Sequence, residues 1–440
     1  MIGLLSPFAS FCAKVLLGRG IKVTASEYVV DSPKREYWES IGVLYRGSHD
    51  RKYVTKSVDL VIFPNGPIPG NPECDATEKL GISAITVGQM VGLLSKQFKT
   101  IAVAGTHGKT TTTALIVWML KEAFGLPNFV LGDADDYIIG MQKNWYVGSE
   151  SDYFIAEACE YKKQFLDRAP SPFVSVITHI DIDHTDYYNT QQKYNSAFVE
   201  FLLNTRNSVV IDLKGMNEKI VVDRLLNKRN DLKLYDVSQY RKKGYEIKST
   251  LFGDHNQENL LRALIVGDIL GIDHDKVLQS FRTFPGVSSR FEYVGDTLKG
   301  AHVYKDFAHN PSKIIACLQG AREQYPNSKI VLVFQPHSYE RTYTFRNEFV
   351  TAINGADVVI IPNIFSPKRE TDIHRKLISA KEFVSLLQKG NSGLEVLYTG
   401  NLRETVLKIN SMECGENTVI ILASAGDLRK IVPEIVSSIK

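Results

Sequence analysis

The 440-residue sequence has no cysteine pairing pattern: Cys12, Cys74, Cys159, Cys317 and Cys414 are scattered, odd in number and never form a C-x-x-C pair. That excludes a disulfide framework and a cysteine zinc site, and it fits free thiols in a reducing compartment. There is little excess charge. A formal net charge of +3 is too small for a dedicated nucleic-acid binder, while leaving room for a local basic patch facing an anionic substrate. No apolar run reaches the roughly 18–20 residues of a membrane span, so no membrane partner is expected. The opening M-I-G-L-L-S-P-F-A-S-F-C-A-K-V-L-L is apolar but has neither a basic n-region nor a cleavage site. It does not read as a secretory signal, and a cytoplasmic location is expected. Internal repeats and low-complexity tracts are also missing.

What is present is an ordinary globular composition, 44% hydrophobic and 23% charged, in a chain too long for one hydrophobic core. Short β-rich runs alternate with helical patterns, the mark of α/β layers with parallel sheets. Candidate strands are Ile21–Ala25, Asp59–Phe63, Thr100–Ala104, Tyr153–Ala156, Phe173–Thr178, Ser208–Asp212, Lys329–Phe334, Ala356–Ile361 and Thr418–Leu422. A polar stretch at Lys96–Lys99 and the run T-F-P-G-V-S-S at Thr283–Ser289 break the pattern. Three domains are expected: 1–98, 99–288 and 289–440.

The strongest motif is I-A-V-A-G-T-H-G-K-T-T-T-T-A-L, residues 101 to 115. A buried strand runs into Gly105, Thr106, His107, Gly108, Lys109, Thr110 and Thr111, and an apolar helix follows. Glycines let backbone N–H groups turn toward phosphate oxygens, and the helix N-terminus adds a favourable field. Lys109 supplies a cation for the β- and γ-phosphates of ATP, and the Thr110 hydroxyl a ligand for Mg2+. Val103 stands where the general pattern has glycine. The plainer alternative is a strand-to-helix turn with a solvated lysine, and G-K-T-T after a β-run speaks against it.

Glu157, in F-I-A-E-A-C-E-Y, lies just beyond an apolar strand, where a carboxylate beside a phosphate loop is placed to bind Mg2+; a helix cap or surface acid is the alternative. In V-I-T-H-I-D-I-D-H-T-D-Y-Y, a strand ends in Asp181, Asp183, His184 and Asp186. Alone, such a cluster reads more readily as solvated loop charge than as a ligand set.

Together these segments resemble the Mur ligase superfamily, and most of all its alanine-adding branch. The shortened loop A-x-G-T-x-G-K-T-T and the segments E-A-C-E-Y-K-K-Q-F-L and T-H-I-D-I-D-H-T-D carry the likeness. The resemblance implies Glu157 and His184 as ligands of two Mg2+ ions, with Glu160 in a supporting role. His179 stands where the family usually has asparagine. Phe198 stands where many relatives carry a metal-holding lysine, a departure that again resembles the alanine-adding branch.

G-D-H-N-Q-E-N is similar to the family's adenine segment, which implies Asn256 as the adenine reader with His255 beside it and Asn259 as a brace. S-S-R-F-E-Y-V-G implies that Arg290 meets the nucleotide phosphates. In D-F-A-H-N-P, Asp306 would take the ribose hydroxyls with His309 retained nearby. F-Q-P-H-S-Y-E-R-T resembles the segment facing the incoming amino acid, implying Arg341 for its carboxylate and His337 beside it, with Ser338 where an arginine is common.

The first domain carries no G-x-G-x-x-G; either its first strand and loop are missing or they have diverged. Matches return at F-P-N-G-P-I-P-G-N-P-E, where Asn71 is the UDP-sugar candidate. The implied fold is α/β: an N-terminal Rossmann-like domain, a central mononucleotide-binding parallel sheet and a C-terminal Rossmann-like domain. The implied reaction is ATP-dependent ligation of L-alanine to UDP-N-acetylmuramate through an acyl phosphate, by a monomer or homodimer. The alternatives are another ligase of the superfamily, such as the muropeptide-recycling one, and a nucleotide-binding degenerate ligase.

Overall fold

The structure, a computed structural model, describes residues 1–27, 32–132, 137–148, 151–184, 187–245, 247–367 and 370–436; Asp186 lies outside the described residues. The chain divides into two compact units, Met1–Thr250 with Glu258–Val287, and Leu251–Gln257 with Ser288–Lys440. No helix among the described residues is long and apolar enough to cross a membrane.

The first unit is built on a seven-stranded sheet in the order Lys233–Asp236, Ser208–Ile211, Val174–Ile177, Lys99–Ala104, Tyr153–Glu157, Asn128–Val130, Trp145–Tyr146. All neighbours are parallel except the last pair. Lys99–Ala104 is buried at every residue after Lys99. A near-continuous apolar run is what a central parallel strand covered on both faces requires. The helix Lys109–Phe124 packs on it, and Phe165, Phe198, Phe201 and Tyr194 fill the core beyond Ala102 and Ala104.

The same unit holds four short strands in two parallel pairs, Thr24–Ser26 with Leu44–Arg46 and Val61–Phe63 with Ala84–Thr86. Residues 1–3 join them. Ile2 N–H donates to Ile62 O at 2.9 Å, Gly3 N–H to Ser26 O at 2.9 Å, and Ser26 N–H to Met1 O at 3.0 Å. Donating alternately to both sides is what a central parallel strand does. Gly3 then turns at φ +80°, and Ser6 caps the helix Pro7–Gly18. A bridged stretch at residues 1–3 and a turn with one glycine thus precede the first helix, without the longer glycine fingerprint. The expected strand at Ile21–Ala25 begins only at Thr24. Arg19, Gly20 and Ile21 are consumed in closing the preceding helix, with Ile21 N–H donating to Leu16 O.

The second unit carries a six-stranded sheet in the order Glu292–Asp296, His302–Asp306, Thr418–Ala423, Lys329–Phe334, Val358–Pro362, Glu395–Gly400. Only the first pair is antiparallel. One buried apolar cluster lies on each face of this sheet.

Candidate functional site

Strands Lys99–Ala104, Tyr153–Glu157 and Val174–Ile177 are immediate neighbours in register, with Val103 opposite Glu157 and Ala104 opposite Ile177. The phosphate loop, the acidic segment and the histidine segment therefore leave the carboxyl edge of one sheet side by side, where ligands of such sheets bind.

The loop is fixed by contact. Gly105 sits at φ +132°, and a Cβ there would lie 2.2 Å from Thr178 Oγ1; Gly108 sits at φ +80°, with a Cβ 2.5 Å from Asn259 Oδ1. Conformation and space both demand glycine. Thr106 N–H donates to His179 O at 2.7 Å, its hydroxyl donates to Asp181 O at 2.6 Å, and Asp181 N–H returns to Thr106 Oγ1 at 3.0 Å. Asn259 accepts from the Thr112 hydroxyl at 3.1 Å, so it braces the loop helix. Arg262 lies inside, donating to Ile177 O at 3.1 Å and Thr178 O at 2.6 Å. Thr110 and Thr111 are buried in the first helical turn, and His107 is half-buried beside them.

Lys109 folds over this loop, donating to Gly105 O and, at 3.4 Å, to Thr106 O. Its Nζ also donates to Glu160 Oε1 at 3.3 Å and lies 3.1 Å from Oε2. Glu160 is wholly buried, and His184 Nε2 lies 3.5 Å from its Oε1. Burial alone would raise this carboxyl; the Lys109 ammonium and the hydrogen bond from His184 overcome it and hold Glu160 at about 2. Burial likewise opposes charge on Lys109, yet Glu160 keeps the lysine above its ordinary value. The His184 ring, disfavoured as a cation by burial, is lifted to about 9 by hydrogen bonding to Cys159 and Glu160. Glu160 is thus the hub of the site, a centrality that the spacing E-A-C-E signals only faintly. Glu157, at the end of its strand, is buried and accepts from Gly132 N–H at 2.9 Å; a Cβ on Gly132 would strike its Oε1 at 2.6 Å.

His179 Nδ1 lies 2.9 Å from Glu218 Oε1, which also accepts from Ile180 N–H at 2.7 Å. Hydrogen bonding to Glu218, working against burial, raises the His179 ring above its usual value. Phe198 does not reach the site: it packs edge-on against Phe165 in the core. Among the described residues, no three of His, Cys, Asp and Glu converge as a ready metal cage. Mg2+ rarely needs one, since it is held by one or two carboxylates with phosphate oxygens and water. Thr110, Glu157 and the glycine-lined loop fit that mode. Asn71 caps the helix Pro72–Leu80, accepting from Glu73 N–H and Cys74 N–H, while its buried Nδ2 has no hydrogen-bond partner.

In the second unit, Asn256 donates to Phe252 O at 2.7 Å, and the His255 ring lies under Gly253. Arg290 sits between Ser289 and Phe291, both at positive φ, with its guanidinium 5.0 Å from the Phe307 ring centre. Asp306 accepts from Phe291 N–H and Ala308 N–H, each at 2.7 Å, so both oxygens already fasten the arginine turn. Burial raises its carboxyl against the pull of Arg290. His309 is buried with Nδ1 against Phe307 O at 2.7 Å, and burial holds its ring far toward neutral. The His337 ring lies 6.2 Å from it and stacks on Phe365. Ser338, at φ +69°, caps the helix Tyr339–Thr344 by accepting from Arg341 N–H at 3.2 Å. Gln335 holds the segment at residues 424–427, accepting from the Ser424 hydroxyl, Asp427 N–H and Leu428 N–H.

Residues 103–267 match the family described as the Mur ligase middle domain, and residues 289–426 the Mur ligase glutamate ligase domain. The chain is similar to the UDP-N-acetylmuramate–L-alanine ligase of Caldanaerobacter subterraneus, 32% identical over 95% of this chain and 93% of the relative. The same-named ligase of Agathobacter rectalis is 30% identical over 95% and 93%. Among solved structures, the UDP-N-acetylmuramate–alanine ligase of Thermotoga maritima superposes with a TM-score of 0.75 at 24% identity, covering 98% of this chain and 96% of that one. A murein peptide ligase of Psychrobacter arcticus shares the fold with a TM-score of 0.62 at 17% identity, over 99% of each chain.

Proposed function

Since the chain belongs to the Mur ligase family, we propose that it uses ATP to join L-alanine to the carboxylate of UDP-N-acetylmuramate, a step in building peptidoglycan precursors. The observation that supports this most is the meeting of Lys109, Glu157, Glu160 and His184 at the ends of three adjacent strands. We assign the UDP-sugar to residues 1–98, with Asn71 as a contact, ATP to 99–288, and the amino acid to 289–440.

In the first step a muramoyl carboxylate oxygen attacks the γ-phosphorus of ATP, the bond to the bridging oxygen breaks, and ADP leaves. Alanine's ammonium gives up one proton to solvent, the resulting amine attacks the acyl phosphate at carbon, a second proton leaves the nitrogen as the amide forms, and phosphate departs. Lys109 exchanges part of its pairing with Glu160 for phosphate oxygens, keeping one positive charge on the transferring group. Loop amides turned by Gly105 and Gly108 hold the other oxygens without reorganising. Thr110 and Glu157 would hold one Mg2+ and His184 a second, and ions so held would add charge neutralisation and alignment. To hold an ion His184 would have to be neutral, since a protonated imidazole has no lone pair to offer. Arg290, Asp306 and His309 meet the nucleotide, Asn256 and His255 its base, and Arg341 with His337 the alanine carboxylate.

The test is phosphate release in the presence of ATP, Mg2+ and UDP-N-acetylmuramate against a panel of amino acids and peptides. Release that depends on L-alanine is expected. Release with a tripeptide and none with alanine would overturn the substrate assignment.

A further inference from the structure

Glu370 is nine-tenths buried, and one of its carboxylate oxygens is committed: Oε1 accepts from Tyr339 N–H at 2.7 Å and from Glu340 N–H at 3.3 Å. Those amides open the helix that carries Arg341. The other oxygen, Oε2, is buried with no hydrogen-bond partner. A buried carboxylate oxygen left unmatched is costly unless a donor, above all a cationic one, arrives to meet it. The chain around it is tightly set. Ser338 N–H donates to Phe365 O at 2.8 Å, Phe365 N–H donates to Pro336 O at 2.9 Å, and the His337 ring stacks on Phe365. Glu370 is therefore tied to the same few residues that present His337 and Arg341.

We propose that Glu370 Oε2 receives the α-ammonium of the incoming amino acid, so that Glu370 and Arg341 read the two ends of a zwitterion. This rests on the assignment of Arg341 to the amino-acid carboxylate. A carboxylate anchored at the first amides of one short helix and a guanidinium carried by that helix select against ligands that lack either end, because a missing ammonium leaves the buried carboxylate oxygen unmatched.

Glu370→Gln keeps an oxygen for the two backbone amides and removes the charge. The expected result is a KM for L-alanine raised by about 10- to 100-fold, the worth of one charge-assisted hydrogen bond, with KM for ATP unchanged and a melting temperature close to the parent's. A variant whose KM for alanine stays within twofold overturns the proposal. So does one in which every KM rises together with a large loss of thermal stability, since that marks a helix cap and nothing more. Equilibrium dialysis with labelled L-alanine and L-lactate, which carries a hydroxyl for the ammonium, supplies a readout free of turnover. The parent should prefer alanine and the variant should lose that preference. A parent that prefers alanine yet releases no phosphate sinks the ligase reading alone, a variant that keeps the preference sinks the Glu370 reading alone, and a parent that binds neither compound sinks both.

Discussion

The phosphate-loop site and the segment around Arg341 are built on opposite plans. Around Lys109 the charges are already paired: a lysine and a histidine share one buried glutamate, whose Oε2 makes no hydrogen bond but lies 3.1 Å from the ammonium, and the loop is pinned by Thr106 and Asn259. Around Arg341 the backbone is equally well fixed, yet Glu370 keeps a buried oxygen unmatched. The first plan suits a ligand that must displace internal pairs, so that the site stays neutralised through a cycle. The second suits a small ligand that completes a half-made set. Internal pairing makes a site robust, whereas an incomplete set makes it selective.

The comparison breaks most plainly at Lys109. Lys109→Ala should lower ligation by about a thousandfold or more, since the cation on the transferring phosphoryl group is lost. It should also destabilise the folded protein by about 3–5 kcal/mol, because Glu160 is left buried with one cation fewer. The double variant Lys109→Met with Glu160→Gln should regain much of the melting temperature and none of the turnover. A single variant that works normally ends the phosphate-loop assignment. At the second site, Arg341→Lys replaces a two-pronged donor by a point charge. KM for alanine should rise about tenfold, with KM for ATP and stability held. Equal changes in both constants would mean that the two sites are not as separable as their construction suggests.

Acidity offers a gentler probe. Glu160 is depressed from 4.5 to about 2, so its stabilising contribution is present above 4.5 and is lost as pH falls through about 2. His184 is raised from 6.5 to about 9, so its contribution is complete below 6.5 and is lost as pH rises through about 9. Melting temperatures taken with EDTA present should therefore fall at both ends, and Glu160→Gln should flatten both limbs. The smallest effect belongs to Ser338→Ala. Loss of the cap on Arg341 N–H should cost about 1 kcal/mol, visible as a modest drop in melting temperature with ATP binding untouched.

Much of this was legible because the sequence states it locally. Runs such as K-I-V-L-V-F and T-V-I-I-L-A can only be buried strands, and both appear where expected. The glycines of the phosphate loop announce a conformation that other residues reject. What stayed hidden depends on which strands become neighbours. Nothing near Arg262 says that it will reach two carbonyls beyond Ile177, and nothing near Glu370 points to the amides of Tyr339 and Glu340. The bridged stretch at residues 1–3 is too short to show any periodicity; only its alternating hydrogen bonds reveal it. Glu160 looked secondary because its weight comes from Lys109 and His184, 51 and 24 positions away in the chain.

His179 ties three positions to one another. Its ring and Ile180 N–H share Glu218, whose carboxylate presses so close to Gly215 that a Cβ there would lie 1.9 Å away. An asparagine at 179 would be shorter and would bring no charge to meet that acid. Replacing the histidine alone would leave the buried glutamate short of a partner, and a side chain at 215 would push the same carboxylate away from both of its donors. A substitution at any one of these positions is therefore felt at the other two.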